Sequence, residues 1–371
     1  RCTTRSTRGN AALEPAPPSG YRHSMEQAPG KVLCIVFKFL GDVAVALPAV
    51  HALKERWPRT GLHLLVADDA APLARNLPWI DRVWPLPRTR GKARLLDSWP
   101  MIRELRAENF DLSLDFIGND RGALLSLAVG ATHRYGVSAP RGFHGRRLCY
   151  HTLVPEAPFD WHETRRHLHF LRSFGVNFDH PTRLELKAPA AQADAAAQLL
   201  PPDAIIGHIT TSKALKEWPL THWLALARHA RASGRTFVFA AGPSARERAL
   251  LATLKAEAPE IPQLPPLSSL DLYLAVLARA ALLVSGDTGP MHFAAGLGTP
   301  TLSLFGPSRV DLWAPVGPHA RCLSAPGCTC NPEWTRCAQS TSCFERLTPD
   351  AVWAAAEALL APATTHARPG L

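Results

Sequence analysis

The chain has 371 residues, 46% apolar and 19% charged, with a formal net charge of +10. That length exceeds one ordinary hydrophobic core and predicts two domains. No apolar run reaches the roughly eighteen residues of a membrane-spanning helix, and the first thirty residues lack the apolar core of a secretory signal.

Residues 1–30 are rich in Arg, Ser, Pro and Gly and read as a disordered extension, with Met25 a candidate start. The segment Lys31–Lys38 is a near-continuous apolar strand. Phe39-Leu40-Gly41-Asp42 follows, then Val43–Trp57, where Val43, Leu47, Val50 and Leu53 recur at helical spacing until Pro58. Asp42 is therefore expected at or near a helix N-cap, a favoured place for Asp. Leu62–Val66 reads as a strand, Trp79–Val83 begins a short one, and Ser98–Glu108 is helical. Phe110–Ile117 alternates as a strand should, and His162–Phe174 is a helix ended by Gly175. Residues 179–202, rich in Pro and Ala, cross between halves.

The pattern then restarts. Strands are expected at Ala204–Ile209, Thr236–Ala240, Ala281–Val284 and Thr301–Phe305. Helices are expected at Leu220–Ala232, Ala245–Ala256, Leu270–Ala278 and Met291–Leu297. Alternating strands and helices predict parallel sheets covered on both faces. The halves read as two Rossmann-like α/β domains, residues 31–190 and 191–348, facing a central cleft, with residues 349–371 a C-terminal helix and tail. Ligands in such sheets sit at the carboxyl ends of strands, which is where Asp42 and Asp287-Thr288-Gly289 fall.

The stretch Ser285-Gly286-Asp287-Thr288-Gly289-Pro290-Met291-His292 brings a strand to a small-residue turn and a helix start. Pro290 suits a first helical turn, and the open N–H groups there favour an anion such as a nucleotide phosphate. An ordinary turn between strand and helix accounts for the octapeptide alone equally well. A GxGxxG after the first strand is missing, as are a GxxxxGK[ST] and a GxSxG, which argues against a dinucleotide dehydrogenase, a P-loop kinase and an α/β-hydrolase. There is also no Asp-x-Asp to hold a divalent ion against a diphosphate.

Five arginines and no acid lie between Arg121 and Arg147: Arg121, Arg134, Arg141, Arg146 and Arg147. A second basic run is Arg88, Arg90, Lys92 and Arg94. Such clusters attract polyanions or form a solvated basic face. Nucleic acid is disfavoured, because no recognised module or basic–aromatic stripe accompanies them. Cys328, Cys330, Cys337 and Cys343 leave open a four-thiolate metal site, a loop-tying disulfide or free thiols.

Further segments lie in the second half: His208-Ile209-Thr210-Thr211-Ser212 ends a strand, Lys216-Glu217-Trp218-Pro219 follows, and Ala241-Gly242-Pro243-Ser244 ends the next strand with Glu247 beyond. With Leu40-Gly41-Asp42, Pro48, Asp287–His292, Gly298-Thr299-Pro300 and Phe305-Gly306-Pro307, they resemble glycosyltransferase family nine, the ADP-heptose:lipopolysaccharide heptosyltransferases. The resemblance covers about residues 31–361. It implies a GT-B fold and an inverting, metal-independent transfer, with no cofactor beyond the donor substrate ADP-heptose. It implies Asp42 as general base and Lys216 as the cation on the leaving diphosphate, with Lys213 as the alternative lysine. Donor-binding residues implied are Thr210, Thr211, Ser212, Glu247, Asp287, Thr288, Gly289 and His292. The acceptor implied is the anionic inner core of lipopolysaccharide, bound by Arg121, Arg134, Arg141, Arg146 and Arg147. The enzyme is then expected in the cytoplasm, peripheral to the inner membrane. Rival readings are a GT-B transferase using another nucleotide sugar or a protein acceptor, and a non-catalytic nucleotide-sugar-binding protein.

Overall fold

The computed structural model describes residues 27–87, 98–138, 142–176, 183–328 and 342–361. These form two compact units that divide between Lys187 and Ala188.

The first unit runs β1 (Lys31–Val36), α1 (Leu40–Arg56), β2 (Gly61–Ala67), α2 (Pro72–Arg75), β3 (Arg82–Leu86), α3 (Trp99–Ala107), β4 (Leu112–Asp115), α4 (Asp120–Val129), β5 (His133–Ser138), β6 (Thr152–Pro155) and α5 (Glu163–Phe170). Its six strands form one sheet in the order β3-β2-β1-β4-β5-β6, and every pairing is parallel. Strands buried on both faces carry continuous apolar runs rather than alternation, as β1 does from Val32 to Val36. Leu33, Ile35, Leu65, Leu105, Phe110 and Leu125 build the core on one face. Asn119 caps α4 by accepting from the Gly122 N–H, and left-handed Gly130 ends it. The order switches sides between β1 and β4, so the crevice for a ligand opens beyond the ends of those two strands.

The second unit runs α6 (Ala193–Leu199), β7 (Ile205–His208), α7 (Leu220–Ala232), β8 (Phe237–Ala240), α8 (Ala245–Glu257), α9 (Leu270–Arg279), β9 (Leu282–Gly286), α10 (Gly289–Gly296), β10 (Thr301–Phe305), α11 (Val310–Trp313), β11 (Ala320–Ser324) and α12 (Pro349–Leu360). Its five strands lie in the order β11-β10-β9-β7-β8, again all parallel. Here the switch falls between β7 and β9. Trp218, Trp223, Phe237, Phe239 and Phe344 fill one side of the sheet, and α12 packs against α7, β9 and β10.

Several boundaries differ from the sequence expectation. Helix α1 starts at Leu40 with Phe39 as N-cap, so Asp42 is not the cap but the third helical residue. The strand expected at Trp79–Val83 forms later, as β3, because Ile80 still closes a turn onto Leu77. The strand expected to reach Ile117 stops at Asp115, whose carboxylate turns the chain by accepting the Ile117 and Gly118 N–H groups. The helix expected to run to Phe174 tightens to a 3₁₀ turn after Phe170. Helix α10 begins two residues early, at Gly289.

Candidate functional site

In the first unit, the β1–α1 connection delivers Asp42 to a pocket of about 120 Å³ beyond the strand ends. Lys38, Glu163, Arg166 and His167 line it with Asp42, against the apolar surfaces of Phe116 and Phe170. The Asp42 side chain is 13% exposed, and its Oδ1 lies 2.7 Å from the Lys38 ammonium, one helical turn earlier in sequence. Arg166 binds Glu163 at 2.6 Å. His167 is buried, and burial pushes its pKa down to about 3, with Lys38 and Arg166 acting in the same direction. It therefore presents a neutral imidazole, able to donate and accept hydrogen bonds. The result is a partly exposed carboxylate lining a polar pocket, an arrangement a hydroxyl-deprotonating base can use.

The turn that forms one wall is held from below. Asp115, fully buried at the end of β4, accepts the Tyr150 hydroxyl at 2.6 Å. Burial raises its pKa, opposed by the Tyr150 and backbone hydrogen bonds. Asn119 Nδ2 donates to the Phe37 carbonyl at 2.8 Å, tying this turn to the loop that carries Asp42. Arg146 donates to the Gly118 carbonyl at 2.8 Å.

In the second unit, the ends of β7 and β9 bring together Lys216 and Asp287, with Nζ 2.6 Å from Oδ2. Lys213, the alternative lysine, is exposed, so Lys216 is the lysine held against the β9 loop. Thr288 is the N-cap of α10 and Gly289 its first residue, which places their N–H groups at the positive end of an eight-residue helix. His292 is buried within the same helix.

The hydroxyls after β7 are engaged with protein groups in this structure. Thr210 donates to Glu247 at 3.0 Å and accepts the Gly242 N–H at 3.1 Å. Thr211 donates to the Lys213 carbonyl at 2.7 Å. Ser212 alone of the three is exposed. Glu247 is half-buried and completes a capping box with Ser244. Burial works against its charge, but the hydrogen bonds from Ser244 and Thr210 outweigh that and hold its pKa low. Behind Thr210, His208 meets the Tyr273 hydroxyl at 2.9 Å, and burial lowers its pKa to about 4 despite Glu247 nearby.

The arginine set divides. Arg146 stands at the α4 end of the pocket wall, 3.6 Å from Asp120, and Arg147 is exposed. Arg121 lies over the Phe37 ring, 4.3 Å from its centroid. Arg134 is a correction: it is level with Ser113 in the β4–β5 register, at the opposite end of the sheet from Asp42. Its guanidinium donates to the Cys149 and Ala131 carbonyls. Arg141 and the run Arg88–Arg94 lie outside the described residues, as do Cys330 and Cys337. Among the described residues no group of three or more His, Cys, Asp or Glu side chains is placed to hold a metal ion.

Reading the sequence missed Lys38, Glu163, Arg166 and His167 in the pocket. It also missed the clamp in which Arg246 donates to Glu217 at 2.8 and 2.9 Å and to the Thr211 carbonyl at 2.6 Å. The i,i+3 spacing of Glu163 and Arg166 was a legible signal on a helix; nothing in spacing announces Arg246.

Comparison with known proteins follows the same lines. The profile of glycosyltransferase family 9 (heptosyltransferase) matches residues 98–342. The lipopolysaccharide core heptosyltransferase OpsX of Haemophilus influenzae is 26% identical over 74% of this chain and 79% of its own length. Lipopolysaccharide heptosyltransferase 1 of Pseudomonas aeruginosa is 28% identical over 90% of this chain and 99% of its own. The structure of the Escherichia coli ADP-heptose lipopolysaccharide heptosyltransferase II superposes with a TM-score of 0.73 at 20% identity, covering 89% of this chain and 98% of that one. The fold is therefore GT-B, built of two Rossmann-like α/β domains.

Proposed function

The chain belongs to glycosyltransferase family 9, the heptosyltransferase family, and on that premise we propose that it moves heptose from ADP-heptose to the inner core of lipopolysaccharide. The reaction is a single displacement that inverts the anomeric centre. Asp42 takes the proton from the attacking acceptor hydroxyl as the bond to ADP breaks. Lys216 and the N–H groups of Thr288 and Gly289 carry the charge that develops on the leaving diphosphate, so no metal is required. Asp287 holds Lys216 in place and accepts from donor sugar hydroxyls. Glu247 accepts from the ribose, Ser212 adds a hydroxyl, and His292 shapes the donor side from within α10. Thr210 and Thr211 order the loop rather than touch the phosphates. On the acceptor side, Arg121, Arg146 and Arg147 meet core anions, and Arg141 completes that set by sequence. Contact with the cytoplasmic face of the inner membrane is peripheral; no helix among the described residues is long and apolar enough to cross a membrane.

The observation that carries this reading is the Asp42 carboxylate, 13% exposed, lining a polar pocket beyond a strand end. The names of the relatives support the substrate class. The test is ADP release from ADP-heptose with a series of truncated lipopolysaccharide cores, with and without EDTA. Release that requires an acceptor, survives EDTA and disappears in Asp42→Asn is expected. Release abolished by EDTA would refute metal independence, and release undiminished in Asp42→Asn would remove Asp42 from the mechanism.

A further inference from the structure

Seven large apolar side chains are exposed among the described residues, and four of them lie between residues 124 and 148. Leu124 is 38% exposed, Leu127 45%, Phe143 38% and Leu148 74%. They belong to one structural unit. Leu124 and Leu127 are three apart on α4, so they share a face. The 3₁₀ turn Arg146–Cys149, which carries Leu148, packs against α4, with Cys149 in the same apolar cluster as Ala123. The Phe143 N–H donates to Asp120 at the start of α4, at 3.1 Å. The setting is basic: no Asp or Glu occurs from Arg121 to Pro155, and His144 and Arg147 are exposed beside the apolar groups. Of the acids beside this segment, Asp115 is buried and Asp120 is paired with Arg146.

Exposed leucines flanked by arginines, with acids missing, form the composition that seats on an anionic lipid surface. Apolar groups enter the headgroup boundary and cations meet the phosphates. We propose that the α4 and Phe143–Leu148 face docks this protein on an anionic bilayer. This deepens the function proposed above and rests on it, since that reading supplies the reason a lipid-anchored acceptor is met at a membrane. Helix α4 starts just after Ile117, which lines the Asp42 pocket.

The test is co-sedimentation of the full chain with phosphatidylcholine vesicles, with and without phosphatidylglycerol. Binding is expected only where phosphatidylglycerol is present, and it should weaken as salt rises. Leu127→Asp and Leu148→Asp should each lower the partition coefficient by about tenfold or more, the value of one leucine moved out of the boundary. Their thermal unfolding should match the native protein, because both side chains are exposed. Transfer to a soluble, lipid-free core fragment should be unchanged in Leu148→Asp, which separates docking from chemistry. Vesicle binding without transfer would leave this face standing and sink the proposed reaction. Equal binding to both vesicle types, or native-like binding by both variants, would overturn the proposal. So would a native dimer dissociated by Leu148→Asp, which would assign the face to self-association.

Discussion

Replacing Lys216 by Met would leave the Asp287 carboxylate without its cation, and the cost can be worked from the geometry. The charged atoms are 2.6 Å apart, with Lys216 19% and Asp287 9% exposed. At an effective dielectric of about 20, such charges attract by about 6 kcal/mol, most of it offset by the desolvation of both groups. The net worth of the pair is small, but stranding one partner is expensive, and more so for the more buried one. Lys216→Met should cost about 3 kcal/mol. Asp287→Asn should cost only about 1 kcal/mol, because a lysine stem can swing its ammonium toward water. For a domain of this size those figures lower Tm by about 10 °C and about 3 °C. The Lys216→Met/Asp287→Asn double variant, having no stranded charge, should be more stable than Lys216→Met alone. The same asymmetry should appear in calorimetric titration with ADP. Lys216→Met sets a lone carboxylate against the diphosphate and should weaken ADP about tenfold or more. Asp287→Asn frees the lysine and should hold or improve the affinity. Equal destabilisation by the two single changes, strict additivity in the double, or equal loss of ADP affinity would refute this account of the pair.

Asp42→Asn should lower kcat by about 10²- to 10⁴-fold, the usual contribution of a general base, with ADP affinity unchanged by titration. Gly122→Ala would set its Cβ 2.4 Å from the buried Asp115 Oδ2. The expected destabilisation is about 2 kcal/mol, read by denaturant unfolding, and a native midpoint would show that this wall of the pocket can yield. Stability should also fall on acidification. His167 and His208 have folded pKa values of about 3 and about 4, against 6.5 unfolded. The unfolded chain binds protons that the folded chain refuses, so stability rises with pH. The loss begins as pH falls through 6.5, and is complete near 4 for His208 and near 3 for His167. Urea midpoints on either side of pH 6.5 should show the decline, and a smaller decline in His208→Asn would locate it.

The elements legible in the sequence are those whose apolar pattern runs their whole length. Helix α7 spans Leu220–Ala232 and β10 spans Thr301–Phe305, as their patterns predict. In each case the apolar signal begins and ends with the element. Helix α1 begins before its apolar spacing does: Leu40, Gly41 and Asp42 are only half-buried, and that spacing begins at Val43. Strands β5 and β6 were missed for a related reason. β6 is an edge strand and β5 lies next to it, and a sequence such as His-Arg-Tyr-Gly-Val-Ser carries neither a run nor an alternation. Among the candidate site residues, Asp42 and Asp287 stood out because each follows an apolar strand within a family motif, and Lys216 because of its Lys-x-Trp-Pro motif. Their partners did not. Lys216 and Asp287 are 71 residues apart, and only the parallel register of β7 beside β9 makes them neighbours. His167 looked like any helical histidine; its burial against Phe116 and Phe170, not its spacing, gives it a neutral ring beside the proposed base.

Each group proposed to react is held by a counter-charge from its own domain: Asp42 by Lys38, Lys216 by Asp287. The donor loop adds Glu217 with Arg246, and the pocket adds Glu163 with Arg166. Every one of these pairs has a member whose side chain is less than a fifth exposed, so an unpaired charge there would be costly. Pairing lets a domain fold around a cation meant for a diphosphate before that diphosphate arrives. It also orders the events of donor binding. While Lys216 is closed on Asp287, the carboxylate is engaged and the lysine is neutralised. Under the proposed reaction, a diphosphate drawn to the start of α10 would compete for the ammonium, and Asp287 would then be released to accept from sugar hydroxyls. On that proposal the diphosphate would supply the attraction and the sugar the discrimination, through the same pair of side chains.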